Sequence, residues 1–151
     1  MATLAHKVTI HTPQDQVFKA LSTIEGLKSW FTPKIEGKVG KSHEAVFSFA
    51  DEKPFHWKFI EVEPNSLVRW KCTEGPGAAA GTSVTFRVSN KGGNQTVVEC
   101  DHEDWPEGDR AFKTCNTFWG ILLGQLKKYA ETGQAETSPL KGISPKGTQA
   151  A

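Results

Sequence analysis

The segment at residues 104–132 constrains the fold most strongly, because it predicts one long helix with a single apolar stripe. Asp104 and Glu107 have the spacing of a capping box at its start, and Gly133 follows its end. At about 1.5 Å per residue, such a helix spans roughly 40 Å and needs a broad apolar partner. The stripe comprises Ala111, Cys115, Phe118, Leu122, Leu126 and Tyr129, widened by Phe112, Trp119 and Leu123.

Residues 42–102 can supply that partner, because their apolar residues alternate with mostly polar ones. An alternation with a period of two residues predicts half-buried antiparallel strands. Turn-forming residues separate the alternating segments from one another. In the run at residues 55–62, the apolar positions change parity between Phe59 and Ile60. Either a bulge shifts the register there or both faces are covered. The inward positions of the other runs are Ala45, Phe47, Phe49, Val68, Trp70, Cys72, Val84, Phe86, Val88, Val98, Cys100 and His102.

The residues before the sheet predict one strand and two short helices. Residues 4–10 have a β-rich pattern, and Thr12 followed by Pro13 is typical of a capped helix start. Gly26 interrupts the helical spacing and Pro33 stops it, which favours two helices in tandem. The predicted order is therefore strand, two short helices, six strands and a long helix, which is an α+β domain.

Length and charge narrow the class of protein. The chain has 151 residues, enough for one domain, and its net charge of +1 gives no strong field to attract nucleic acid. Apolar runs of signal-peptide or membrane-span length are absent, so we expect a cytoplasmic protein without membrane insertion. The 3 cysteines form no CxxC pair, which favours reduced, buried thiols.

The C-terminal end has a different composition from the rest. Residues 134–151 are rich in Ser, Thr, Pro, Gly and Lys, and Leu140 and Ile143 are their only large apolar side chains. Two such groups are too few to offset the entropy lost on ordering. We therefore divide the chain into a folded domain at residues 1–133 and a disordered tail at residues 134–151.

Motifs for metal, nucleotide and nucleophilic chemistry are missing from the sequence. The histidines and cysteines lack zinc-site spacing, and the glycine-rich segments at residues 75–81 and 92–93 lack the lysine and helix of a phosphate loop. A nucleophile elbow is missing as well. We therefore predict no metal and no cofactor, and an enzymatic role is disfavoured.

Short pieces spread over residues 7–133 match one known family in order and spacing. The early and central pieces are Pro13, Val17, Ala20-Leu21, Gly26-Leu27, Trp30-Phe31-Thr32-Pro33, Glu61-Val62-Glu63-Pro64, Leu67, Trp70, Gly81-Thr82, Val84, Phe86 and residues 96–102. The closing helix contributes Trp119, Leu123, Leu126-Lys127, Tyr129, Glu131 and Gly133. Together they resemble the START-like (helix-grip, SRPBCC) superfamily, most of all its branch named after the activator of the heat-shock protein 90 ATPase.

The resemblance implies a curved antiparallel sheet of about seven strands wrapped around the last helix, with a cavity between them. We predict that the two short helices and residues 30–33 form its entrance. The predicted ligand-binding residues are Trp30, Phe31, Phe47, Phe49, Trp70, Phe86, Cys100, His102, Phe118, Trp119 and Leu122. The alternative is a solid core packed with the same rings.

His102 is a weak candidate for catalysis. Its parity with Val98 and Cys100 places the imidazole on the concave face, where a neutral ring could orient a ligand or move a proton. The alternative, which we favour, is a histidine hydrogen-bonded at the edge of the core.

Three functions remain open, because this fold supports many activities. The leading hypothesis is a carrier or sensor that binds a small hydrophobic or aromatic molecule. The first alternative, implied by the branch name, is a module that contacts a chaperone and stimulates its ATPase. The second is a small cyclase- or dehydratase-type enzyme. We expect a monomer.

Overall fold

The computed structural model describes residues 1–49 and 53–134. The predicted disordered tail lies outside the described residues apart from Gln134, as do the predicted turn residues Asp51 and Glu52 and the side chain of Ala111. The strands are β1 Ala2–Ile10, β2 Ile35–Gly37, β3 Glu44–Phe47, β4 Phe55–Glu63, β5 Leu67–Glu74, β6 Ser83–Gly92 and β7 Gln95–Trp105. The helices are α1 Gln14–Ser22, α2 Ile24–Trp30 and α3 Arg110–Thr132.

The strands form one curved antiparallel sheet, ordered β1-β7-β6-β5-β4-β3-β2. Strands β2 to β7 follow one another as neighbours, whereas β1 crosses over to pair with β7. The predicted order of elements and the helix-grip fold are therefore confirmed. Alternation along each strand sends the apolar side chains to the concave face, where α3 covers them.

A bulge in β4 resolves the run with mixed parity. Phe59 lies opposite Trp70, but the next pair is Glu61 with Arg69, so Ile60 is the extra residue. The Ile60 side chain is 37% exposed, whereas Phe59 is fully buried. The bulge is thus the correct alternative of the two, and it returns the following apolar residue to the concave face.

The predicted start of the long helix is wrong. Strand β7 continues to Trp105, which pairs with Ala2 and is fully buried, and α3 begins only at Arg110. Asp104 has a φ of +71° at a register shift between β1 and β7, so it and Glu107 do not form a capping box. Burial of the indole therefore overrides the local capping signal. With 23 residues, α3 is about 35 Å long.

The short helices also differ from prediction in their caps. Thr12 does not cap α1, because its hydroxyl donates to the carbonyl oxygen of Ala130 in α3 at 2.9 Å. Thr23 separates α1 from α2, and its hydroxyl accepts the N–H of Gly26 at 3.1 Å.

Gly26, predicted to be the break, lies inside α2 at the point where the two short helices touch. A Cβ at this position would lie 2.7 Å from the Cα of Ala20. The glycine is therefore needed for close packing of α2 on α1.

The C-terminal end of α3 is tied to the end of β1. Lys127 Nζ donates to the carbonyl oxygen of Thr9 at 2.8 Å, and Glu131 accepts the backbone N–H of His11 at 2.8 Å. Lys127 and Glu131 also form an ion pair at 2.7 Å. These contacts fix the far end of the helix on the sheet. Within the described ranges, no helix is long and apolar enough to cross a membrane.

Candidate functional site

A small cavity lies between α3 and the concave face of the sheet. It leaves about 20 Å³ free, the room of about one water molecule. The space is therefore closer to the alternative of a solid core than to the predicted open cavity. The lining residues are Phe31, Phe49, Phe55, Trp57, His102, Cys115, Phe118, Trp119 and Leu122.

The structure brings six of the eleven predicted ligand-binding residues to this cavity, and five lie elsewhere. The six are Phe31, Phe49, His102, Phe118, Trp119 and Leu122. The five that do not border it are Trp30, Phe47, Trp70, Phe86 and Cys100, all fully buried. The rings of the four aromatic residues among them pack behind the cavity wall; for example, the ring centroids of Trp70 and Phe86 lie 5.1 Å apart.

Sequence reasoning missed three lining residues, Phe55, Trp57 and Cys115. The two aromatic residues belong to the β4 run whose facing was ambiguous before the bulge was located. Cys115 lies in the predicted helical stripe, one turn before Phe118 and Trp119, so the α3 periodicity could have found it.

Phe49 forms the rim of the cavity. It is the one half-buried residue in the lining, because the other eight are buried. Its ring centroid lies 5.0 Å from that of Phe118, 5.6 Å from that of Phe31 and 5.8 Å from that of Phe55. Within the predicted entrance, Trp30, Phe31 and Thr32 are buried, and Phe31 lines the cavity.

His102 lies at the inner wall of the cavity, and both its ring nitrogens are hydrogen-bonded. Trp119 Nε1 donates to His102 Nδ1 at 2.9 Å. An indole nitrogen can only donate, so Nδ1 is unprotonated and the proton is on Nε2. Nε2 then donates to the Thr82 hydroxyl at 2.8 Å, and that hydroxyl donates to the carbonyl oxygen of Ala79 at 2.6 Å. This chain of bonds fixes the imidazole between α3 and the loop before β6.

The cavity wall is electrically neutral. Burial lowers the pKa of His102 to about 3, because the charged ring would lose its hydration. Burial likewise raises the pKa of the Cys115 thiol to about 12, with a smaller contribution from Asp109. Both groups are therefore uncharged near neutral pH. Within residues 1–49 and 53–134, no cluster of three His, Cys, Asp or Glu side chains is placed to hold a metal ion.

Solved structures with the same fold cover most of this chain. The dimeric Aha1 of Colwellia psychrerythraea, solved in solution, is 29% identical, with a TM-score of 0.81 over 89% of this chain and 100% of that one. A protein of the dynemicin biosynthetic locus is 20% identical, with a TM-score of 0.73 over 88% of this chain and 48% of that one. A protein from Staphylococcus saprophyticus is 17% identical, with a TM-score of 0.73 over 90% of this chain and 96% of that one.

Family membership rests on the sequence as well as on the fold. A comparison with curated proteins gave no match. The family described as "Activator of Hsp90 ATPase homolog 1-like protein" matches residues 11–131, which is most of the chain and nearly all of the domain described above. The chain belongs to the family of activator of Hsp90 ATPase homolog 1-like proteins.

Proposed function

We propose that this protein binds a small hydrophobic or aromatic molecule between α3 and the sheet, as a carrier or sensor. The observation that carries the proposal is the position of Phe49. Its half-buried ring closes an aromatic-lined space whose other walls are buried. A ligand can therefore enter by replacing one ring at the rim, without disturbing the strands behind it.

The size of the space makes this replacement necessary. A benzene-sized ligand needs on the order of 150 Å³, whereas about 20 Å³ is free. Moving Phe49 aside breaks three ring contacts, each of which contributes about 0.5–1.5 kcal/mol beyond burial. An aromatic ligand restores equivalent contacts with Phe31, Phe55 and Phe118, and an aliphatic one does not. The geometry therefore favours aromatic ligands.

Titration with toluene, followed by NMR, tests the proposal. We expect saturable binding with shifts confined to cavity residues. Phe49→Ala should bind toluene at least tenfold more tightly, because no ring has to be displaced. Phe112→Ala is the matched control, since it truncates a half-buried phenylalanine of α3 outside the cavity and should leave the affinity unchanged.

Native mass spectrometry of the purified protein adds an independent search for a co-purifying molecule. Absence of toluene binding by both wild type and Phe49→Ala would refute the proposal. So would equal gains from Phe49→Ala and Phe112→Ala, because these would indicate general loosening of the core.

A second candidate is a module that acts on a chaperone, favoured by the description of the family as activators of the Hsp90 ATPase. Its test is the ATP turnover of an Hsp90-class chaperone with increasing amounts of this protein. A saturable rise supports the role, and an unchanged rate excludes it. Catalysis by His102 is less well supported, because Trp119 and Thr82 occupy both of its nitrogens.

A further inference from the structure

Three buried indole N–H groups lack a hydrogen-bond acceptor within the described part of the chain. They belong to Trp57, Trp70 and Trp105. The other two indoles, of Trp30 and Trp119, each donate to a buried acceptor. A buried donor without an acceptor costs free energy comparable to a lost hydrogen bond, so each orphan donor calls for an explanation.

Of these three, Trp57 is the one that borders the cavity. Its side chain is 2% exposed, and its ring stacks on that of Phe55 at 5.8 Å with the planes 1° apart. Its ring centroid also lies 5.8 Å from that of His102. The residue that carries this unused donor is thus part of the wall of the space that a ligand would enter.

The remaining polar groups of the lining offer nothing equivalent. Both nitrogens of His102 and the N–H of Trp119 bond to protein groups. Cys115 has an interaction of its own, and its thiol is protonated because burial raises its pKa. None of the lining residues is Lys, Arg, Asp or Glu. The wall therefore combines one unused donor with no charge.

We infer that Trp57 Nε1 donates a hydrogen bond to an uncharged acceptor oxygen on the ligand, such as the carbonyl of an aromatic ketone, aldehyde or ester. The inference rests on the proposed function. A carboxylate fits poorly, because its charge would be buried without a cation. A water molecule also fits poorly, because Trp57 Nε1 would be its one unused polar partner in the wall. Buried waters usually have about two to four such partners.

Acetophenone and ethylbenzene are suitable probes, because they have nearly the same shape and differ in the carbonyl oxygen. The readout is the Kd of ethylbenzene divided by that of acetophenone, measured by NMR titration. We expect this ratio to fall roughly tenfold from wild type to Trp57→Phe. Comparing ratios cancels the different solubilities of the probes. Trp70→Phe, which also removes an orphan indole but not one bordering the cavity, should leave the ratio unchanged.

The outcomes separate the inference from the proposed function. If both probes bind but Trp57→Phe leaves the ratio unchanged, the inference is overturned and the binding function stands. If neither probe binds wild type or Phe49→Ala, both the inference and the proposed function are refuted. Benzoate binding as tightly as acetophenone would also overturn the inference. Should Trp57→Phe fail to fold, the wild-type indole N–H resonance of Trp57 decides: acetophenone should shift it downfield and ethylbenzene should not.

Discussion

Burial of His102 makes the stability of the fold depend on pH. Its pKa falls from 6.5 to about 3 because the imidazole loses its hydration on folding. Between these values the unfolded chain binds a proton at this site and the folded protein does not, so protonation favours unfolding. The contribution to stability is complete above pH 6.5 and is lost as the pH falls towards 3.

The magnitude follows from this difference in proton binding. Each pH unit below 6.5 costs about 1.4 kcal/mol of unfolding free energy. Acidification from pH 7 to pH 4.5 therefore removes about 2–3 kcal/mol through this one residue. That is a large part of the stability of a typical small domain, which is about 5–15 kcal/mol.

Urea denaturation of wild type and His102→Gln, followed by tryptophan fluorescence between pH 4.5 and pH 7, measures this effect. Glutamine can accept from Trp119 and donate to Thr82, but it does not titrate. At pH 7 we expect the variant to be the less stable protein, because its amide packs less well. By pH 4.5 the advantage of wild type should shrink by about 2–3 kcal/mol. Other titrating groups cancel in the comparison. A pH-independent difference would refute the reasoning.

Further predictions concern the glycines, the thiols and the oligomeric state. Gly26→Ala should lower the unfolding free energy by about 1–3 kcal/mol in urea denaturation, since its Cβ would meet the backbone of Ala20. Gly120→Ala should instead raise the unfolding free energy by up to about 1 kcal/mol, because that position on α3 faces open space. If both variants changed the stability in the same direction, the reasoning for the pair would be contradicted. The three buried cysteines should react with a thiol reagent only in denaturant, and fast labelling of the native protein would contradict their burial. Sedimentation should give a monomer, and a dimer mass would overturn that expectation.

Errors in the sequence predictions cluster where distant residues decide local structure. The helix start failed because Trp105 gains more from burial opposite Ala2 than the capping signal contributes. The break between the short helices was misplaced because Gly26 serves a contact with Ala20, not a turn. Both sequence signals have a usual local meaning, a helix cap and a helix break. In the folded protein, tertiary packing places these residues in a strand and in a helix–helix contact instead.

The sequence by itself determined the elements and their order, because periodicity, turn residues and a long apolar stripe are local properties of the chain. It also indicated which face of most strands and of α3 would be buried. Only the tertiary structure decided which rings border a cavity and which pack behind it. That choice depends on one extra residue in β4, which settles the facing of Phe55 and Trp57, and on how closely the rings fill the space. The neutral hydrogen-bonded state of His102 and the orphan donor of Trp57 likewise exist only once the strands and α3 are assembled.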